Sequence, residues 1–244
     1  MLSYLLLFCL TSSLTAKRAI PVASKYNAIL TVGQKHYWDL LNAKQTSLVV
    51  STGPAGCGKT MLACAAAVQH LRAGSVKKIV LTRPVVSVAE ENLGYLPGSV
   101  SHKMDPWMRP LYDALGDHYT TKEISSLIHD GVIEIAPLGF MRGRTFKDAW
   151  IVADEMQNST PVQTRMIATR LGEGSKLIMT GDLAQSDLPP SSPNGLAEFI
   201  DAWRKTGIIS GLTNIECVEL GKHDVKRSKV VSDVLAMYDR HKKI

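Results

Sequence analysis

Residues Gly53-Pro54-Ala55-Gly56-Cys57-Gly58-Lys59-Thr60 spell G-x-x-x-x-G-K-T, and the residues on either side decide the fold. Ser47-Leu48-Val49-Val50-Ser51 before the loop is short, apolar and β-branched, so it reads as a strand. Met61 to Leu71 after it is Ala-rich and reads as a helix that stops near Gly74. Glycines let the backbone curl so that several N–H groups point at one anion, and the helix N-terminus adds positive partial charge there. In such a loop Lys59 reaches the β- and γ-phosphates of a nucleotide, and the Thr60 hydroxyl ligates Mg²⁺. An ordinary Gly-rich turn would need neither the strand before it nor the helix after it.

The pattern of strand and helix continues outward. Thr31-x-x-Gln34 has the form of a helix capping box and predicts a short helix through Leu41. Further strands are predicted at 78–82, 132–136, 149–153, 176–180 and 215–220. Helices are predicted at 121–129, from Thr160-Pro161 to Gly172, and at 194–204. A terminal helix is predicted over 228–240, with Val231, Val234, Leu235 and Tyr238 on one face. The stretch 85–131 is broken by Gly94, Pro97, Gly98, Pro106 and Pro110 and reads as an irregular insertion on the core. Strands alternating with helices predict one α/β domain over 31–244, a mostly parallel sheet with helices on both faces.

Composition narrows the class. The chain has 244 residues, enough for one large α/β domain or two small ones, and its 45% hydrophobic and 20% charged content is that expected of a soluble globular protein. Its formal net charge of +6 suits a polyanionic partner, and suits a solvated basic surface equally well. Cys9, Cys57, Cys64 and Cys217 form no C-x-x-C pair and have no His at metal spacing, so they read as reduced thiols in an intracellular setting, cytoplasm or organelle stroma. Cys57 lies on the phosphate loop, which predicts that its alkylation competes with ATP. Residues 1–30 open with an apolar run, Leu2 to Leu10, too short to span a bilayer. Import or secretion-like targeting, packing on the domain and an artefact of start-site choice all fit this leader.

Three further elements carry chemistry. The strand at 149–153 ends in Asp154-Glu155, and ligands of open α/β sheets bind at the carboxyl ends of strands. Asp154 is expected to face Mg²⁺ with Thr60, and Glu155 to polarise the attacking water as general base. The strand at 176–180 runs into Gly181-Asp182-Leu183-Ala184-Gln185, where an acid and an amide can sense a γ-phosphate or, alternatively, close an Asx turn. Gln34 can read adenine through its carboxamide or serve only its capping box. Of Arg142, Arg144 and Arg227, at least one is expected to neutralise the transferring phosphoryl group, in cis or from a neighbouring subunit. Arg83, which ends the second strand, is a further candidate to hold phosphate.

These motifs, together with Leu93-Gly94-Tyr95-Leu96-Pro97-Gly98, the block from Lys103 to Asp113, Phe140-Met141-Arg142-Gly143-Arg144-Thr145 and Asp154-Glu155-Met156-Gln157-Asn158, make the chain resemble the PhoH-like ATPases from about Gln34 to Tyr238. The resemblance implies a RecA-like core akin to the first motor domain of superfamily 1 helicases, Mg²⁺-dependent ATP hydrolysis and ring-like homo-oligomers. Some relatives carry a nuclease or RNA-binding domain and act on RNA. By position, the resemblance makes Gln34 the adenine reader, Arg83 a contact to nucleic-acid backbone, and Asp182 with Gln185 the γ-phosphate sensor. Two departures stand out: with the given sequence ending at Ile244, neither an appended nuclease or RNA-binding domain nor a second RecA-like domain is expected, and Ser228 sits where relatives often have His. The expectation is an ATPase coupled to RNA or single-stranded DNA. The alternative is an ATP-dependent switch that acts through protein partners.

Overall fold

The computed structural model describes residues 29–85, 109–189, 191–207, 212, 214–226, 230 and 237. Six parallel strands form one sheet: β1 (Leu48–Thr52), β2 (Lys78–Thr82), β3 (Ile133–Ile135), β4 (Ala149–Ala153), β5 (Lys176–Gly181) and β6 (Ile215–Glu219), in the spatial order β3-β2-β4-β5-β1-β6. The helices are α1 (Val32–Asn42), α2 (Lys59–Arg72), α3 (Thr121–His129), α4 (Pro161–Ala168) and α5 (Gly195–Ala202); residues 109–116 are also helical. The α/β class expected from the sequence is the class observed.

Strands β1 and β4 are buried along their whole length, because both faces of the sheet are covered. Alternate residues divide the core in two. Val49, Ile79, Leu81, Trp150, Val152 and Ile178 face α1 and α2. Val50, Val80, Ile151, Ala153, Leu177 and Met179 face Ile167 of α4 and Leu196 and Ile200 of α5. On the first face α2 presents Ala63, Ala65, Ala66 and Ala67, all fully buried, and such small side chains let the helix sit close to the strands. The helix starts follow their capping residues. Thr31 with Gln34, Thr120 with Glu123 and Thr160 with Gln163 each form a reciprocal capping box.

One expectation needs amending. Helix α4 ends at Ala168 rather than Gly172. Phe146 N–H donates to Arg170 O at 2.9 Å and Gly172 N–H to Phe146 O at 2.7 Å, so the last residues are drawn into a parallel bridge beside Phe146. Within the stretch 85–131, the described residues Leu111, Leu115 and Ile124 are core residues on the α2 face. The leader, the blocks 93–98 and 103–108, Arg227 and most of the terminal helix lie outside the described residues. Val230 and Met237 of that helix are helical and exposed.

Candidate nucleotide-binding site

Strand order builds the site. Strand β5 lies between β1, which carries the phosphate loop, and β4, which carries Asp154-Glu155. The ends of three adjacent parallel strands therefore meet at one sheet edge, with the β5 terminus Thr180-Gly181 between the loop and the carboxylates. A cleft of about 530 Å³ opens there. Among its walls are Ala55, Gly56, Gly58, Lys59, Thr60, Asp154, Glu155, Asp182 and Gln185. Most of the residues expected at the site thus share one cavity.

The loop is built on glycine conformations. Gly53, Gly56 and Gly58 have φ of 144°, 83° and 92°. A Cβ on Gly53 would sit 2.4 Å from Leu220 O, so no other residue fits there. Gly58 caps α2 without any side-chain hydrogen bond, which leaves the first-turn N–H groups of α2 to an external acceptor. Lys59 donates from Nζ to Gly53 O at 2.6 Å and Pro54 O at 3.1 Å, so its charge is held over the loop. Cys57 is fully buried with Sγ 3.6 Å from Lys59 Nζ. Burial pushes its thiol up, against the pull of Lys59. This corrects the alkylation expectation, because a buried thiol with a raised pKa reacts slowly with or without nucleotide.

Asp154 is the hub. It is buried, and its Oδ1 accepts from Thr60 Oγ1 at 2.7 Å and from Thr180 Oγ1 at 2.5 Å. Its Oδ2 takes two guanidinium hydrogen bonds from Arg83, one of them through Nε at 3.0 Å. Arg83 Nη2 also lies 3.9 Å from Glu155 Oε1. The arginine expected to meet nucleic-acid backbone is therefore pinned at the carboxylates, its side chain 13% exposed. Thr60 and Asp154 bring hydroxyl and carboxylate oxygens together, the hard donor set that suits Mg²⁺. Glu155 has backbone φ 56°, unusual for a non-glycine residue, and its side chain is 47% exposed on the cleft.

Asp182 does close an Asx turn, accepting from Ala184 N–H at 3.1 Å, while lining the cleft. Gln34 lies behind the loop, outside the cleft walls. Its Nε2 donates to Cys57 O and Asp224 O, each at 3.0 Å, and its Oε1 accepts from Thr31 N–H at 3.1 Å. Both of its amide hydrogens are thus in use, and reading adenine would require exchanging those bonds. Asp224 completes this clasp through Thr31 Oγ1 and Gly221 N–H. Burial pushes its carboxyl up, but those two hydrogen bonds together with the nearby His223 hold the pKa below the ordinary value.

Arg142 and Arg144 do not line the cleft. Arg144 is drawn to Glu134 in a two-pronged ion pair and sits 4.6 Å over the Phe146 ring, while Arg142 is exposed. Several participants escaped sequence reading. Asp113 and Asp117 line the far wall, and their spacing with Pro110 and Ala114, one helical face, was a usable signal. Gln157 stands in the sequence only as part of the block 154–158 and Thr180 only as the end of its strand, with no role read for either. Among the described residues no helix is long and apolar enough to cross a membrane.

A phosphate loop between a buried parallel strand and a helix, facing an Asp-Glu pair across one intervening strand, defines the class of P-loop NTPases. The chain belongs to the PhoH-like protein family, whose model matches residues 28–239. It is 46% identical over 212 residues to the PhoH-like protein of Bacillus subtilis, covering 87% of this chain and 64% of that protein. Against the PhoH-like protein of Mycobacterium bovis it is 47% identical over 211 residues, 86% of this chain and 57% of that one. The chain thus spans roughly three fifths of the length of these relatives. Among solved structures, a Pif1 helicase from Candida albicans aligns over 80% of this chain and 40% of its own at 15% identity, with a TM-score of 0.40, too low for the likeness to decide anything.

Proposed function

We propose that this chain is a Mg²⁺-dependent ATPase whose turnover is coupled to RNA or single-stranded DNA and which works as a homo-oligomeric ring. One observation carries the enzymatic part: Lys59, Thr60, Asp154, Glu155, Asp182 and Gln185, from three adjacent strand ends, border one cleft. Loop N–H groups and Lys59 hold the phosphates, while Thr60 and Asp154 hold the metal. Bound Mg²⁺ supplies charge neutralisation on the β- and γ-phosphates. Glu155 orients a water and takes its proton, and Asp182 with Gln185 responds to the γ-phosphate. Arg142, Arg144 or Arg227 acts from a neighbouring subunit, which fits the absence of the first two from the walls of their own cleft.

Steady-state ATP hydrolysis with and without single-stranded RNA tests the coupling. Stimulation that weakens with salt supports it, since phosphate contacts are salt-sensitive. Turnover indifferent to RNA and single-stranded DNA alike would refute it. The engagement of Arg83 with Asp154 favours a second reading, a nucleotide-dependent switch acting through protein partners. Assembly that follows ATP, with turnover unmoved by nucleic acid, would select that reading.

A further inference from the structure

Gln157 is fully buried between two cleft loops, and every polar atom of its side chain is engaged. Its Nε2 donates to Glu155 Oε2 at 2.6 Å and to Gln185 O at 3.3 Å, and its Oε1 accepts from Asp182 N–H at 3.1 Å. Its backbone carbonyl accepts from Ser186 Oγ at 2.9 Å. One amide therefore touches the proposed general base and both proposed γ-phosphate-sensing residues. The strand end makes room for it, because a Cβ on Gly181 would lie 2.8 Å from Gln157 Oε1. The neighbouring Asn158 ties the same two loops farther from the cleft, exchanging two hydrogen bonds with Asp187 at 2.9 and 2.8 Å.

We propose that Gln157 is a positioning residue that aims the Glu155 carboxylate and links it to the Asp182–Gln185 loop, so that the base and the γ-phosphate sensor move as one unit. This rests on the ATPase reading above. The side chain of Glu155 is half exposed and its backbone sits in a left-handed conformation, so little else fixes the carboxylate. Arg83 approaches its other oxygen at 3.9 Å, which leaves the short bond from Gln157 as the tightest restraint on its direction. An amide suits this place because it donates to a carboxylate and accepts from a backbone N–H at once, which neither Glu nor Leu does.

The test uses the whole chain and three variants. Gln157→Glu keeps the shape and the acceptor for Asp182 N–H but sets a carboxylate against Glu155. Gln157→Leu removes all three side-chain bonds. Asn158→Ala cuts the second tie between the loops and leaves Glu155 alone. Single-turnover ATP hydrolysis and the Kd for a fluorescent ATP analogue are measured for each. Gln157→Glu and Gln157→Leu should lower the hydrolysis rate by about 100-fold, the scale of a misplaced catalytic group, with Kd moved by less than about threefold. Asn158→Ala should hydrolyse at a rate within about twofold of the parent, showing that loosening the loops alone is not what stops chemistry. Normal hydrolysis by Gln157→Glu, or an equal loss in Asn158→Ala, would overturn the assignment. Normal hydrolysis by Glu155→Gln in the same assay would instead remove the ATPase reading beneath it.

Discussion

The two ends of the sheet use polar residues for opposite purposes. At the carboxyl end, Asp154, Glu155, Gln157, Thr180 and Arg83 come from different strands and bond to one another around an open cleft. At the amino end, polar groups close off backbone. Lys176 Nζ donates to Leu40 O, Leu41 O and Ala43 O at 3.3, 2.6 and 2.8 Å and so finishes helix α1. Ser175 Oγ donates to Phe146 O at 2.8 Å and accepts from Ala149 N–H at 2.9 Å, fastening the start of β4. The difference teaches how to tell chemistry from stability in a fold of this kind. The amino-end groups serve backbone alone and hold the fold, whereas the carboxyl-end side chains also satisfy one another beside a cavity and can be rearranged by a ligand.

That contrast can be broken by substitution. Lys59→Ala should have the largest effect, lowering ATP turnover by about 100-fold or more, with only a smaller fall in thermal midpoint from the loss of its bonds to Gly53 O and Pro54 O. Turnover assays beside thermal melts check this, and a large loss of stability with intact turnover would reverse the roles of the two ends. Lys176→Met should do the opposite. It orphans the last carbonyls of α1 and should cost about 1–3 kcal/mol in denaturant unfolding, with turnover unchanged.

The same lysine sharpens the comparison through pH. Burial pushes the Lys176 ammonium down to about 8 from an ordinary 10.5. Between those values the unfolded chain binds more protons than the folded one, so this group makes stability rise as pH increases through that window. Below it both states are protonated and the contribution is flat. Midpoints measured across the window should rise more in the parent than in Lys176→Met, and parallel curves would contradict the assignment. Arg144→Ala should have the smallest effect on stability, within about 1 kcal/mol, because its pair with Glu134 is partly exposed. If Arg144 acts across subunits, this variant loses turnover in the oligomer without losing stability.

Elements governed by local chemistry were legible in the sequence. The loop glycines, the capping box at Thr31, the Thr160-Pro161 helix start and the apolar run of β4 each announce themselves within a few residues, and so did the phosphate loop with Asp154-Glu155. What escaped depends on strand order. Nothing local says that β5 inserts between β1 and β4, so nothing marked Thr180 as a donor to Asp154 or Gln157 as the link between Glu155 and Asp182. Gln34 was ambiguous for the converse reason. Its capping box is local, whereas its bonds to Cys57 and Asp224 bring together residues far apart in the chain. Arg142 and Arg144 looked like phosphate ligands by residue type, but Glu134, on the neighbouring β3, claims Arg144.

The central claim is that the carboxyl-end cleft hydrolyses ATP with Glu155 as the base. Its most direct test is ATP binding and hydrolysis measured on the same sample of the parent chain and Glu155→Gln, with Mg²⁺ present. The account predicts unchanged binding and a loss of hydrolysis of about 100-fold or more in the variant, the range set by removing a general base. Equal hydrolysis by the two proteins would contradict it.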